Sequence, residues 1–246
     1  TFAKTIEVTN AAASIDIGSV NGLITVTGNI TGKDSVSITT SGSGAITLSG
    51  AISTDAADGD IFIESTTGNV ITSGAISTSG TASGVNSADI NIDTATSGNI
   101  TIGGNVSTSG GGDILLGADV GGTASGAGNL TINGTVTTTG TTAGDILIGI
   151  SGGTATVNKA LTAGPTGDVI FSTNAATDAI TIASGATITA GDSVGDFGSG
   201  ILNLGANITS GTTGVAATLG IFINDVSVNL TGDVSLKSIG TGSGAG

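Results

Sequence analysis

The sequence predicts an all-β fold: a right-handed parallel β-helix, or β-solenoid, of about nine to ten coils. Three observations predict it. A 13-residue motif recurs at constant spacing, as GNVITSGAISTSG at Gly68 to Gly80, GNITIGGNVSTSG at Gly98 to Gly110 and GNLTINGTVTTTG at Gly128 to Gly140. Short aliphatic triplets alternate apolar, polar, apolar along nearly the whole chain, the period-two signature of half-buried strands. Gly supplies 45 of 246 residues and Pro one, and no 3.6-residue apolar period appears. Frequent Gly weakens a helix but suits tight corners between strands.

The first aliphatic of the motif, Ile100 in the middle copy, serves as an anchor. Its equivalents are Ile24, Ile46, Val70, Leu130, Ala155, Ile180, Leu202 and Val228. Two positions on stand Val26, Leu48, Thr72, Ile102, Ile132, Val157, Ile182, Leu204 and Leu230, where Thr72 alone is polar. Six positions on stand Ile30, Ile52, Ile76, Val106, Val136, Leu161, Ala186, Ile208 and Val234, with Ile188 an alternative to the small Ala186. The period drifts between 22 and 30 residues, whereas this six-residue step is expected to hold.

A further strand precedes most anchors. It reads Ile15-Asp16-Ile17, Val36-Ser37-Ile38, Ile61-Phe62-Ile63, Ile90-Asn91-Ile92, Ile114-Leu115-Leu116, Ile146-Leu147-Ile148, Val169-Ile170-Phe171 and Ile221-Phe222-Ile223. Before Leu202 only Val194 or Phe197 offers itself. Each unit thus holds about three strands and cannot bury its own apolar face, but stacked units can. At a strand spacing of about 4.8 Å the stack would be a rod roughly 45 Å long. Asn69, Asn99 and Asn129 would fall in register as an amide ladder.

Residues 1–246 read as one solenoid domain, with 238–246 a flexible tail or linker. Ser79 to Ala88 and Gly121 to Gly128 read as loops inserted into coils, and Pro165 as a turn residue. Thr1 to Thr9 alternates like a strand, and two readings stay open: the first coil's own strand, or a segment that pairs with a neighbouring molecule. Met is absent, which reads as a mature chain or a segment of a longer one.

Composition excludes several function classes. The formal charge of −14 and the absence of Arg disfavour nucleic acid and anionic membrane surfaces. No apolar run reaches the 18 or so residues of a membrane-spanning helix. Without His or Cys there is no His-based acid–base catalysis and no zinc or thiolate chemistry, so an enzyme is not expected. Polysaccharide cleavage by paired carboxylates would also want basic and aromatic partners, which are scarce here.

The sharpest constellation is acidic. Asp60, Asp89, Asp113, Asp145 and Asp168 each directly precede a strand, and Asp58 stands close by. Carboxylates along one edge of a rod would suit Ca²⁺, and GGGDILLGAD at Gly110 to Asp119 faintly echoes a calcium-binding nonapeptide repeat. The plainer reading is that each Asp makes an Asx-turn to its local backbone. On that reading there is no cofactor. Hydroxyl residues form two further rows. One follows the anchor directly, interrupted by Ile71, Asn203 and Asn229; the other runs Thr31, Ser53, Ser77, Ser107, Thr137, Thr162, Thr187, Thr209 and Ser235. Such rows suit ice or glycan binding, and equally suit an ordinary outward sheet face.

GNITIGGNVSTSG and GDILIG resemble the long Gly/Thr/Ser/Ala/Asn-rich strand repeats of bacterial surface proteins, the filamentous-haemagglutinin-like and autotransporter-type adhesins and related extracellular filament proteins. The resemblance covers about Ile15 to Leu236. It implies secretion, a parallel β-helix and a structural or adhesive role at the cell surface, and it carries over no catalytic or ligand residue. The expectation is a secreted protein that forms or extends a surface fibre by strand stacking at its ends, self-associating into a homopolymer. The alternative is an adhesin that recognises glycan, ice or a host surface.

Overall fold

The computed structural model describes residues 1–10, 13–80, 88–117, 128–140, 144–196, 199–211, 221–223, 227–230 and 234–236. Its strands form three sheets of 9, 9 and 10 members, and every pairing is parallel. Among the described residues there is no helix. The chain visits the sheets in rotation. Ile15–Ser19 lies in the first, Ile24–Val26 in the second and Ile30–Gly32 in the third. Val36–Thr40 then returns to the first sheet beside Ile15–Ser19. This rotation makes a parallel β-solenoid.

The register follows the anchor series without a slip: Ile24, Ile46, Val70, Ile100, Leu130, Ala155, Ile180, Leu202 and Val228 are successive partners. The physical reason is parity. A one-residue shift would turn every inward aliphatic to solvent. In Val36–Thr40 the side chains of Val36, Ile38 and Thr40 are buried while Ser37 and Thr39 are half-buried on the outer face. The inward residues join into one core cluster running from Ile15 to Ile208. Phe171 is its largest fully buried side chain.

The six-residue step fails in one coil. Leu161 pairs with Ile188, not Ala186, and Ile188 pairs with Ile208. The turn before Ile188 takes up two extra residues, closed by Ala186 N donating to Ala183 O at 3.0 Å. The larger aliphatic therefore fills the core position, and the hydroxyl row passes through Thr189, not Thr187. Val194 supplies the missing strand of the first sheet, between Val169 and Ile221.

Thr1 to Thr9 belongs to the stack. Ile6–Glu7 pairs with Ile30 and Thr31, and Phe2 bridges Val26. Pro165 occupies a turn that Gly167 N closes onto Gly164 O. The inserted loops at 81–87 and 121–127, the tail at 238–246, and Asp119 and Phe197 lie outside the described residues.

Corners explain much of the glycine. Gly28, Gly50, Gly74, Gly104 and Gly134 stack at one corner. A Cβ placed on Gly104 would come closer than 3.0 Å to the carbonyl of Gly74 one coil below, and the same holds up and down the column. Gly44, Gly68, Gly98, Gly128 and Gly153 form a second such column. Coils meet here backbone on backbone, at a spacing that leaves no room for a side chain.

Candidate functional site

The described polar side chains are organised as columns that run from coil to coil. The acidic column lies where each turn enters the first sheet. Asp89 N donates to Asp60 Oδ1 at 2.9 Å, Asp113 N to Asp89 Oδ1 at 2.8 Å, Asp145 N to Asp113 Oδ1 at 2.8 Å, and Asp168 N to Asp145 Oδ1 at 2.8 Å. The column ends on Ser193, whose backbone N and hydroxyl both donate to Asp168 Oδ1, at 2.9 and 2.7 Å. The five residues expected to share an edge do share one. Their bonds, however, are not local Asx-turns: each carboxylate accepts from the coil that follows. The sheet ladder leaves an N–H at that position, and the side-chain oxygen satisfies it.

Asp58 stands apart, exposed in the turn before Asp60. Among the described residues no group of three or more acidic side chains is arranged to hold a metal ion. The column strings its carboxylates along the rod, each with one oxygen already engaged, and does not converge them on a point.

The electrostatics follow from stacking like charges. Asp113 is pushed up to about 6, first by burial and then by the charges of Asp145 and Asp89, against the lowering effect of the Asp145 N–H. Asp145 is raised by burial and by Asp168 and Asp192. Asp60, nearer solvent, is raised by burial and by Asp89, Asp58 and Asp34. Beside the column, Glu64 is raised by burial and by Asp93, its partner across the ladder.

Asn residues repeat the device at the other two corners. Asn99 N donates to Asn69 Oδ1 and Asn129 N to Asn99 Oδ1, both at 2.9 Å, and Thr154 N continues onto Asn129 Oδ1 at 3.1 Å. At the third corner Ala51 N donates to Asn29 Oδ1, and Thr135 N to Asn105 Oδ1. Asn69, Asn99 and Asn129 thus fall in register as expected, and the bonds that join them run from backbone N–H to side-chain oxygen.

Two features escaped the sequence reading. Asp178 is fully buried; its Oδ1 accepts from Gly152 N at 2.9 Å, and its Oδ2 from Asn174 N at 3.2 Å and Ala175 N at 2.8 Å. It ties its own turn to the coil before. Inward threonines form the second. Thr78 donates to Ala88 O at 2.8 Å and Thr108 to Gly112 O at 2.7 Å, and Thr54 donates to Gly59 O. The signal was the repeated aliphatic-Ser-Thr step, whose Thr has inward parity. The hydroxyl row Thr31, Ser53, Ser77, Ser107, Thr137, Thr162, Thr189, Thr209 and Ser235 is in unbroken backbone register, and its members from Thr31 to Thr209 lie half-buried on the outer face. The second row is interrupted at Ile71.

These columns are structural devices of a β-solenoid, and that class is as far as fold and site define the protein. Compared with protein-family models, curated proteins and solved structures, the chain matches none. No helix among the described residues is long and apolar enough to cross a membrane.

Proposed function

We propose that the chain is a secreted structural β-solenoid that forms or extends an extracellular surface fibre, with coils of neighbouring molecules stacking end to end by strand pairing. One observation carries the reading. Among the described residues each sheet ends on a strand with another strand on one side only: Ile6–Glu7, Ile15–Ser19 and Ile24–Val26 at one end, the last of them met on its outer side by the single bridge from Phe2 to Val26, and Val234–Leu236, Ile221–Ile223 and Ser227–Leu230 at the other. Such edges offer a row of backbone donors and acceptors. A head-to-tail contact between them does not close on itself, so repetition gives a filament. The exposed Phe2, Val20 and Leu23 lie by the first of these ends and add apolar area to the joint.

The strand counts support a winding of nine to ten coils, and right-handed crossovers are the default for parallel strands. The secreted location rests on the resemblance to bacterial surface repeats. Purified protein imaged by negative-stain electron microscopy across a concentration series is expected to show filaments one solenoid wide. Monodisperse short rods at every concentration would refute the reading.

A binding role is the second reading, favoured by the unbroken hydroxyl row. Regularly spaced Ser and Thr on a flat sheet suit glycan, an ice surface or a host protein. Glycan-array and ice-affinity measurements that both come back blank remove glycan and ice.

A further inference from the structure

We propose that the column Asp60, Asp89, Asp113, Asp145 and Asp168 is a proton-linked clamp, in which Asp60, Asp113 and Asp145 take up protons and tighten the solenoid as the medium acidifies. The geometry supplies the argument. Successive members are joined by one hydrogen bond each, carboxylate to the next backbone N–H, so the five carboxyls recur at the coil spacing. That spacing is about 4.8 Å for paired strands. Unit charges so close repel strongly when half-buried, and a row of them is relieved by protonating some of its members.

The side-chain charges that act on Asp60, Asp113 and Asp145 share their sign. Asp34 and Asp58 act on Asp60, and Asp192 acts on Asp145, each with the same sign of charge. Asp113 feels Asp89 on one side and Asp145 on the other. The hydroxyl of Ser193 donates to Asp168. Lys33, the described cation on a neighbouring turn, is engaged by Asp55. No cation is among the groups that shift Asp60, Asp113 or Asp145. The backbone N–H groups favour the charged form, but burial and like charge outweigh them.

The sign follows from linkage. In the unfolded chain these carboxyls titrate at about 3.9. In the fold Asp60, Asp113 and Asp145 are raised, Asp113 to about 6. Between those values the folded state binds more protons than the unfolded one, so stability rises as pH falls through the window.

The test is thermal unfolding of the whole chain at pH 7.5 and pH 5.0, for wild type, Asp113→Asn and Asp145→Asn. Asn keeps the oxygen that accepts the next N–H and removes the charge. The wild-type midpoint is expected to rise by about 3 °C or more on acidification. Each variant is expected to melt higher than wild type at pH 7.5 and to gain less on acidification. A wild-type midpoint that is flat or falls between the two pH values overturns the proposal. So does a variant that is no more stable at pH 7.5, or that fails to fold, because the accepting oxygen is retained. Carbon-13 carboxyl titration of the wild type is the independent check: Asp113 and Asp145 both titrating at or below about 4 would also overturn it.

Discussion

Thr72 occupies the inward position that Leu48 and Ile102 fill in the adjoining coils. It is 1% exposed, and its Oγ1 has no hydrogen-bond partner among the described residues. A buried hydroxyl without a partner costs about 1–3 kcal/mol. Thr72→Val removes that cost, keeps the β-branched shape that suits a strand, and adds a buried methyl worth roughly 0.8 kcal/mol. The local backbone bond, from Gly103 N to Thr72 O at 2.6 Å, does not involve the hydroxyl. The expected gain is about 1–3 kcal/mol, or roughly 2–4 °C per kcal/mol in a domain of this length. Urea and thermal midpoints of both proteins, followed by far-ultraviolet circular dichroism, measure it. An unchanged or lower midpoint would refute the reasoning, because it would mean that the hydroxyl is satisfied, for instance by a buried water.

Three other substitutions probe the corners and the ladders. Gly104→Ala drives a Cβ into the Gly74 carbonyl and is expected to cost about 1–3 kcal/mol. Gly185→Ala, whose Cβ meets nothing within 4 Å, is the control and should be neutral or stabilising by up to about 1 kcal/mol in the same urea titration. Asn99→Ala removes the acceptor of Asn129 N while leaving Asn99 N bonded to Asn69; about 0.5–1.5 kcal/mol should be lost. Hydrogen exchange at the Asn129 amide should quicken, and an unchanged rate would show the ladder bond to be unimportant.

Strand positions were legible because a solenoid repeats one local problem. Each inward position must be apolar, so the anchors from Ile24 to Val228 mark the register even where the period drifts. The slip at Ala186 came from treating the turn as rigid. Turns take up extra residues at little cost, whereas an undersized core residue leaves a void. The Asp column was visible as residue types but not as bonds. Sequence spacing says that Asp89 and Asp113 start neighbouring coils. Only the stacked backbone says that the Asp89 oxygen meets the Asp113 N–H and not its own turn. Asp178 stayed hidden because it belongs to no repeat. Its burial depends on how Asn174 and Ala175 fold back over it.

The strands lie across the long axis of the rod, so their hydrogen bonds lie along it. Tension applied end to end loads every bond between two coils together and does not open them one by one. A junction such as the one between the coils of Val36 and Ile61 pairs five residues in one sheet and three in each of the others. Where Leu161–Thr162 meets its neighbours, the third sheet pairs only two. A longer rod of this design is no stronger in tension than a short one; its strength is that of its narrowest junction.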